Sequence, residues 1–81
     1  MQKSIHSPRY RAFLRLLRDT RQQAGITQEE LAQRLGESQS FVSKCERGER
    51  RLDIVETHAI CEALGVPLSR FASRLQGVLR R

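Results

Sequence analysis

An all-α fold of five short helices is what this sequence predicts, on three observations. Apolar residues recur at spacings of three and four along the 81 residues, the period of one helix face. Glycines and Ser/Thr/Asp capping residues cut that pattern into five segments. Alternating strand patterns and Asn-Gly hairpin signals are absent.

The first helix is expected from about Pro8 to Ala24, with Phe13, Leu17, Arg21 and Ala24 on one face and Leu14 and Leu16 broadening it. Pro8 suits a first turn, where its missing N–H costs nothing, and Gly25 suits the stop. The second opens on Thr27-Gln28-Glu29-Glu30, a capping box whose hydroxyl and carboxylate each satisfy an orphan backbone N–H. It buries Leu31, Ala32 and Leu35 and ends at Gly36. The third starts at Ser38, a good N-cap, buries Val42 and Cys45, and stops at Gly48. The fourth opens on the Asp form of the capping box, Asp53-Ile54-Val55-Glu56, and shows an apolar stripe of Ile54, His58, Cys61 and Leu64 before Gly65. The fifth runs from Pro67 with Leu68, Phe71, Leu75, Val78 and Leu79 on one stripe, provided the helix passes Gly77. Glycine there costs roughly 1 kcal/mol relative to alanine.

Length and charge narrow the function. One domain over 1–81 is expected, with a short N-terminal arm over 1–8, and a helix-turn-helix at about 27–47. The C-terminal helix is expected at about 67–79. There is no apolar run long enough to span a bilayer and no signal-peptide pattern at the N-terminus, so a cytoplasmic protein is expected. Two cysteines, Cys45 and Cys61, are too few for a disulfide framework and fit a reducing compartment. Fifteen Lys+Arg against nine Asp+Glu, a net charge of +6, point to a polyanion, with nucleic acid favoured over an acidic membrane.

The second and third helices form a unit joined by the turn Gly36-Glu37-Ser38. Both are too short to be stable alone, and so tight a turn packs them steeply, which is helix-turn-helix geometry. The third can then enter a major groove about 12 Å wide with its N-terminal end toward the bases. There it presents Gln39, Ser40, Ser43 and Lys44 opposite Val42 and Cys45, followed by the basic turn Arg47-Gly48-Glu49-Arg50-Arg51.

The run Gly25-Ile26-Thr27-Gln28-Glu29-Glu30-Leu31-Ala32, with Leu35-Gly36, resembles the first half of the lambda repressor/Cro-like (Xre-type) helix-turn-helix family. Ser40-Phe41-Val42-Ser43-Lys44-Cys45-Glu46-Arg47-Gly48 is similar to its recognition helix, and Ala63-Leu64-Gly65-Val66 to its fourth-helix exit. The resemblance covers about Leu17 to Ala72. It implies a compact five-helix, lambda repressor-like DNA-binding domain that works as a dimer on pseudo-palindromic duplex DNA. It implies that Gln28 touches a phosphate or supports the base readers, that Ser38, Gln39, Ser40 and Lys44 face the groove, and that Arg21 and Glu46 form a buried ion pair. Thr20, Cys45, Thr57 and His58 depart from it, standing where larger aliphatic residues are usual, and Pro67 replaces the usual Ser/Thr cap.

The candidate base contacts are therefore Gln39, Ser40, Ser43 and Lys44, and the candidate backbone contacts Gln28, Ser38, Arg47, Arg50 and Arg51. Ser38 also serves as a cap, and Ser43 could bond back to its own helix. Phe41 either completes the core edge or reads a thymine methyl. Lys3, Arg9 and Arg11 could form a DNA-reaching arm, whereas Arg15, Arg18, Arg34, Arg70 and Arg74 read as solvated faces. Leu75, Val78 and Leu79 are the candidate dimer interface.

Enzymatic chemistry is not expected. His6 and His58 are the available histidines, His58 reads as a partly buried core residue, and both cysteines fall on core faces. No phosphate loop, nucleophile elbow or zinc-protease motif occurs, and the scattered His and Cys do not supply a metal site, so neither metal nor cofactor is expected. The reading is a sequence-specific DNA-binding regulator of bacterial, phage or plasmid type, acting as a homodimeric repressor. An antitoxin or a restriction-modification controller is the alternative within DNA binding. A protein-interaction or RNA-binding module is the alternative of another class.

Overall fold

A computed structural model describes residues 7–80, so the arm residues 1–6, with Lys3 and His6, lie outside the described residues. Five helices follow one another: α1 (Pro8–Gln23), α2 (Gln28–Leu35), α3 (Gln39–Glu46), α4 (Ile54–Leu64) and α5 (Leu68–Leu79). Among the described residues there is no strand. The body measures 34 × 25 × 20 Å. None of these helices is long and apolar enough to cross a membrane.

Four of the five helices begin at a side-chain cap. Ser7, Thr27, Ser38 and Asp53 each accept the backbone N–H three residues on, and Thr27 and Asp53 complete capping boxes with Glu30 and Glu56. Pro67 leads α5 without a side-chain cap, its fixed φ of −59° supplying the entry geometry instead. Gly36 closes α2 at φ 70°, the left-handed conformation that reverses the chain at a helix end without Cβ strain.

α1 packs on α3 and α5, α2 on α3 and α4, and α4 on α5. The core they enclose includes Leu17, Leu31, Ala32, Val42, Cys45, Ile60, Cys61 and Phe71. Phe71 is the largest of the fully buried side chains, and Phe13 meets it edge-on at 6.0 Å between ring centroids.

The buried faces differ from the sequence reading in three places. In α1, Thr20 is buried and Ala24 exposed. The Thr20 hydroxyl donates to the Leu16 carbonyl at 2.7 Å, which removes the cost of burying it. In α4 the inward stripe is Thr57, Ile60, Cys61 and Leu64, while Ile54 and Val55 are exposed. Thr57 donates to the Asp53 carbonyl at 2.8 Å, so a polar residue occupies the core position that Ile54 was expected to hold. His58 is consequently not a core residue: it lies on the exposed side, its Nδ1 3.9 Å from the Glu62 carboxylate. Arg34 and Arg74 are likewise not merely solvated. Arg34 donates to the Ala63 carbonyl at 2.7 Å, tying α2 to the end of α4, and Arg74 reaches Gln23 at 3.4 Å. α5 does continue through Gly77 to Leu79.

Candidate nucleic-acid interface

The site is built on α3, and what fixes α3 is a polar cluster at its C-terminal end. Arg21 Nε donates to Glu46 Oε2 at 2.6 Å and Nη2 to Oε1 at 3.0 Å, a bidentate pair whose side chains are only 10% and 6% exposed. The remaining Arg21 nitrogen, Nη1, donates to the Ile26 carbonyl at 2.9 Å. Gln28 Nε2 donates to Glu46 Oε1 at 3.0 Å. One carboxylate thus gathers α1, the start of α2 and the end of α3. Planar guanidinium and carboxylate allow little angular play when two hydrogen bonds run in parallel, so the cluster sets orientation as well as energy.

The N-terminal end of α3 is set by the turn. Glu37 N–H reaches back to the Ala32 carbonyl at 2.9 Å, and the Ser38 hydroxyl accepts the Phe41 N–H at 3.1 Å. Val42 and Cys45 then fill the core at 2% exposure each, which turns Gln39, Ser40 and Lys44 outward. Among the described residues these three side chains make no hydrogen bond or ion pair. Ser43 differs: it is half-buried and its hydroxyl accepts a hydrogen bond from Arg47 Nη1.

The turn after α3 is more ordered by side chains than its basic composition suggests. Arg47 Nε donates to Glu49 at 2.7 Å; that pairing raises the Arg47 pKa and lowers the Glu49 carboxyl's. Arg50 lies 2.6 Å from Glu56 Oε2 and stacks over the Phe41 ring at 4.8 Å. Phe41 itself packs on the core edge. Arg51 covers the Tyr10 ring at 4.9 Å, and the Tyr10 hydroxyl accepts the Leu52 N–H at 3.0 Å. Nothing in the sequence marks Tyr10 for this contact: its partner is 42 residues away, and no local pattern signals it.

Of the candidate contacts, then, Gln39, Ser40 and Lys44 are brought together on one exposed face, with Ser38 at its start. Gln28 has one amide N–H committed to Glu46, with the second left for another acceptor. Arg47 and Arg50 reach the same flank already engaged with carboxylates. Burial pushes both the Cys45 and the Cys61 thiols up, away from the reactive thiolate. No group of three or more His, Cys, Asp and Glu among the described residues comes together to hold a metal ion.

A family model for a helix-turn-helix domain matches residues 12–73. An uncharacterized HTH-type transcriptional regulator of Sinorhizobium fredii is 41% identical over 46 residues, 57% of this chain and 60% of that protein. That match spans less than two thirds of the relative's length. Another, from Methanothermobacter thermautotrophicus, is 38% identical over 50 residues, 62% of this chain and 72% of that protein. An XRE-family like protein from Pseudomonas syringae pv. tomato superposes with a TM-score of 0.83 at 51% identity, over 90% of this chain and 89% of its own. The wild-type restriction-modification controller protein C.Esp1396I does so at 0.84 and 25% identity, over 94% of this chain and 100% of its own.

Proposed function

This chain belongs to the Xre-type helix-turn-helix family of DNA-binding transcription regulators, and from that premise we propose that it is a repressor working as a homodimer on a pseudo-palindromic operator. The observation that carries the reading is the exposed face of α3. Gln39, Ser40 and Lys44 stand on it with their donors and acceptors uncommitted, on a helix clamped by Arg21, Glu46 and Gln28. Amide, hydroxyl and ammonium groups held rigidly are what base edges in a major groove can select.

In this reading Lys44 donates to a guanine edge, Gln39 and Ser40 read adjacent bases, and Ser43 acts through the Arg47 it holds. Ser38, Gln28, Arg47, Arg50 and Arg51 position the duplex through its phosphates, which fix register without specifying sequence. Two half-sites about 34 Å apart require two recognition helices at that spacing. The half-buried Leu75, Val78 and Leu79 on α5 supply a face for the second copy, giving an isologous two-fold contact. Repression follows from occupying an operator that overlaps a promoter.

The near-complete overlap with a restriction-modification controller favours one further reading, that the regulated genes are a restriction-modification pair. Footprinting on genomic fragments tests both. A protected, two-fold symmetric window beside a promoter is expected, and its neighbouring genes decide between the readings. Retention of RNA or of a protein with no protected duplex would move the chain to another functional class.

A further inference from the structure

We propose that Arg11, Arg15 and Arg18 of α1 form a phosphate-binding rail that extends the DNA contact beyond the helix-turn-helix; this rests on the DNA-binding reading above. The three sit at intervals of four and three, which places them on one helix face. All three are exposed, and among the described residues none makes a hydrogen bond or an ion pair. Asp19, the acidic residue of α1, forms no ion pair with them. Arg21, Arg34, Arg47, Arg50 and Arg74 are, by contrast, each engaged within the fold. Like charges at this spacing repel and weaken the helix that carries them, so the stripe serves α1 poorly in isolation.

Its surroundings say what it is placed to meet. The three arginines rim a shallow concavity of about 190 Å³ completed by Leu14, Glu46 and Arg47. Glu46 brings no free counter-charge, because Arg21 holds both its oxygens. Leu14 is only 6% exposed although it lies outside the main apolar cluster, as expected where arginine stems cover it and hold their heads outward. The far wall, Glu46 and Arg47, is the C-terminal end of α3. A duplex that seats its groove on α3 therefore carries a sugar–phosphate strand along the edge where the stripe lies. Guanidinium groups suit that strand, since each can grip a phosphate through two parallel hydrogen bonds.

The double variant Arg15→Ala/Arg18→Ala tests the rail, with Arg15→Lys/Arg18→Lys as its charge-keeping partner. Binding to a selected site and to a random duplex of equal length is measured by fluorescence anisotropy across a salt series. The alanine pair is expected to bind both duplexes more weakly by the same factor. Its slope of log K against log salt should fall by about 0.9 for each phosphate that a bound protomer no longer neutralises. The lysine pair should restore the slope. Unchanged affinity and slope in the alanine pair, while the unaltered protein binds its site, would overturn the rail and leave the DNA-binding reading standing. A weakening confined to the selected duplex would also overturn it, since that is base readout. Failure of the unaltered protein to bind any duplex would remove the DNA-binding reading, and the rail with it.

Discussion

Glu46 is the residue on which the alignment of α3 depends. Its carboxylate takes two bonds from Arg21 and one from Gln28 with almost no exposure to water, so removing Arg21 would strand a buried charge. Arg21→Ala or Glu46→Ala should each cost ~3–5 kcal/mol of stability, while the double variant costs less than their sum. Urea unfolding of the four proteins measures this, and a strictly additive cycle would mean the pair contributes no coupling. The pair was legible in the sequence through the family resemblance. The Gln28 bond to the same carboxylate and the Tyr10 bond to Leu52 were not, because neither residue's own neighbourhood reveals a partner 18 or 42 positions away. Lys44, by contrast, faces outward. Lys44→Ala should cost ~1–3 kcal/mol at one base position and relax the preference there. Arg51→Ala should instead weaken binding to every sequence alike and lower the salt dependence. Affinities on single-base variants of the site separate the two behaviours.

At the scale of elements, helix starts were legible and helix faces less so. Thr27, Ser38 and Asp53 act locally, within three residues of their own positions, which is why the sequence reveals them. The buried stripe of α4 depends instead on a competition that spacing cannot weigh. Thr57 can satisfy its hydroxyl on Asp53 and go inside, leaving Ile54 at 67% exposure. Asp53→Ala should cost about 1 kcal/mol by removing the cap, read as a lower urea midpoint. The same box carries a pH dependence. The Arg50 guanidinium, and then the Asp53 N–H, hold the Glu56 carboxyl below its ordinary pKa of 4.5. A depressed folded-state pKa adds stability above the ordinary value, lost as pH falls through the folded one. Glu56→Gln should flatten that part of the acid limb, since glutamine cannot titrate; an identical limb in both proteins would show that the pair contributes nothing there. The continuation of α5 through Gly77 was a balance of an apolar stripe against one glycine, and the helix is what forms.

The proposed function joins the outward face of α3 to the half-buried Leu75, Val78 and Leu79 of α5 as the seat of a second copy. Truncation after Ala72 should leave most helical content while shifting the protein to a monomer and sharply lowering operator affinity, because two linked half-site contacts become one. Leu79→Glu, which keeps Leu75 in place against the core, should do the same. Equal dimerisation constants by sedimentation for full-length and altered chains would place the interface elsewhere. The overall architecture was the most legible level of all, since five helical segments, separated by glycine stops at Gly25, Gly36, Gly48 and Gly65 and four of them opened by a side-chain cap, leave few ways to enclose one core. What was not legible is which arginines the fold consumes and which it leaves outward, because that depends on acceptors brought close only by folding. The proposed function requires that α3 select a duplex sequence. Sequencing the duplexes that the intact protein retains from a random pool tests it most directly. Enrichment of a two-fold symmetric site with half-sites one helical turn, about 10 base pairs, apart is the expected result. A retained pool with no enriched motif would contradict it.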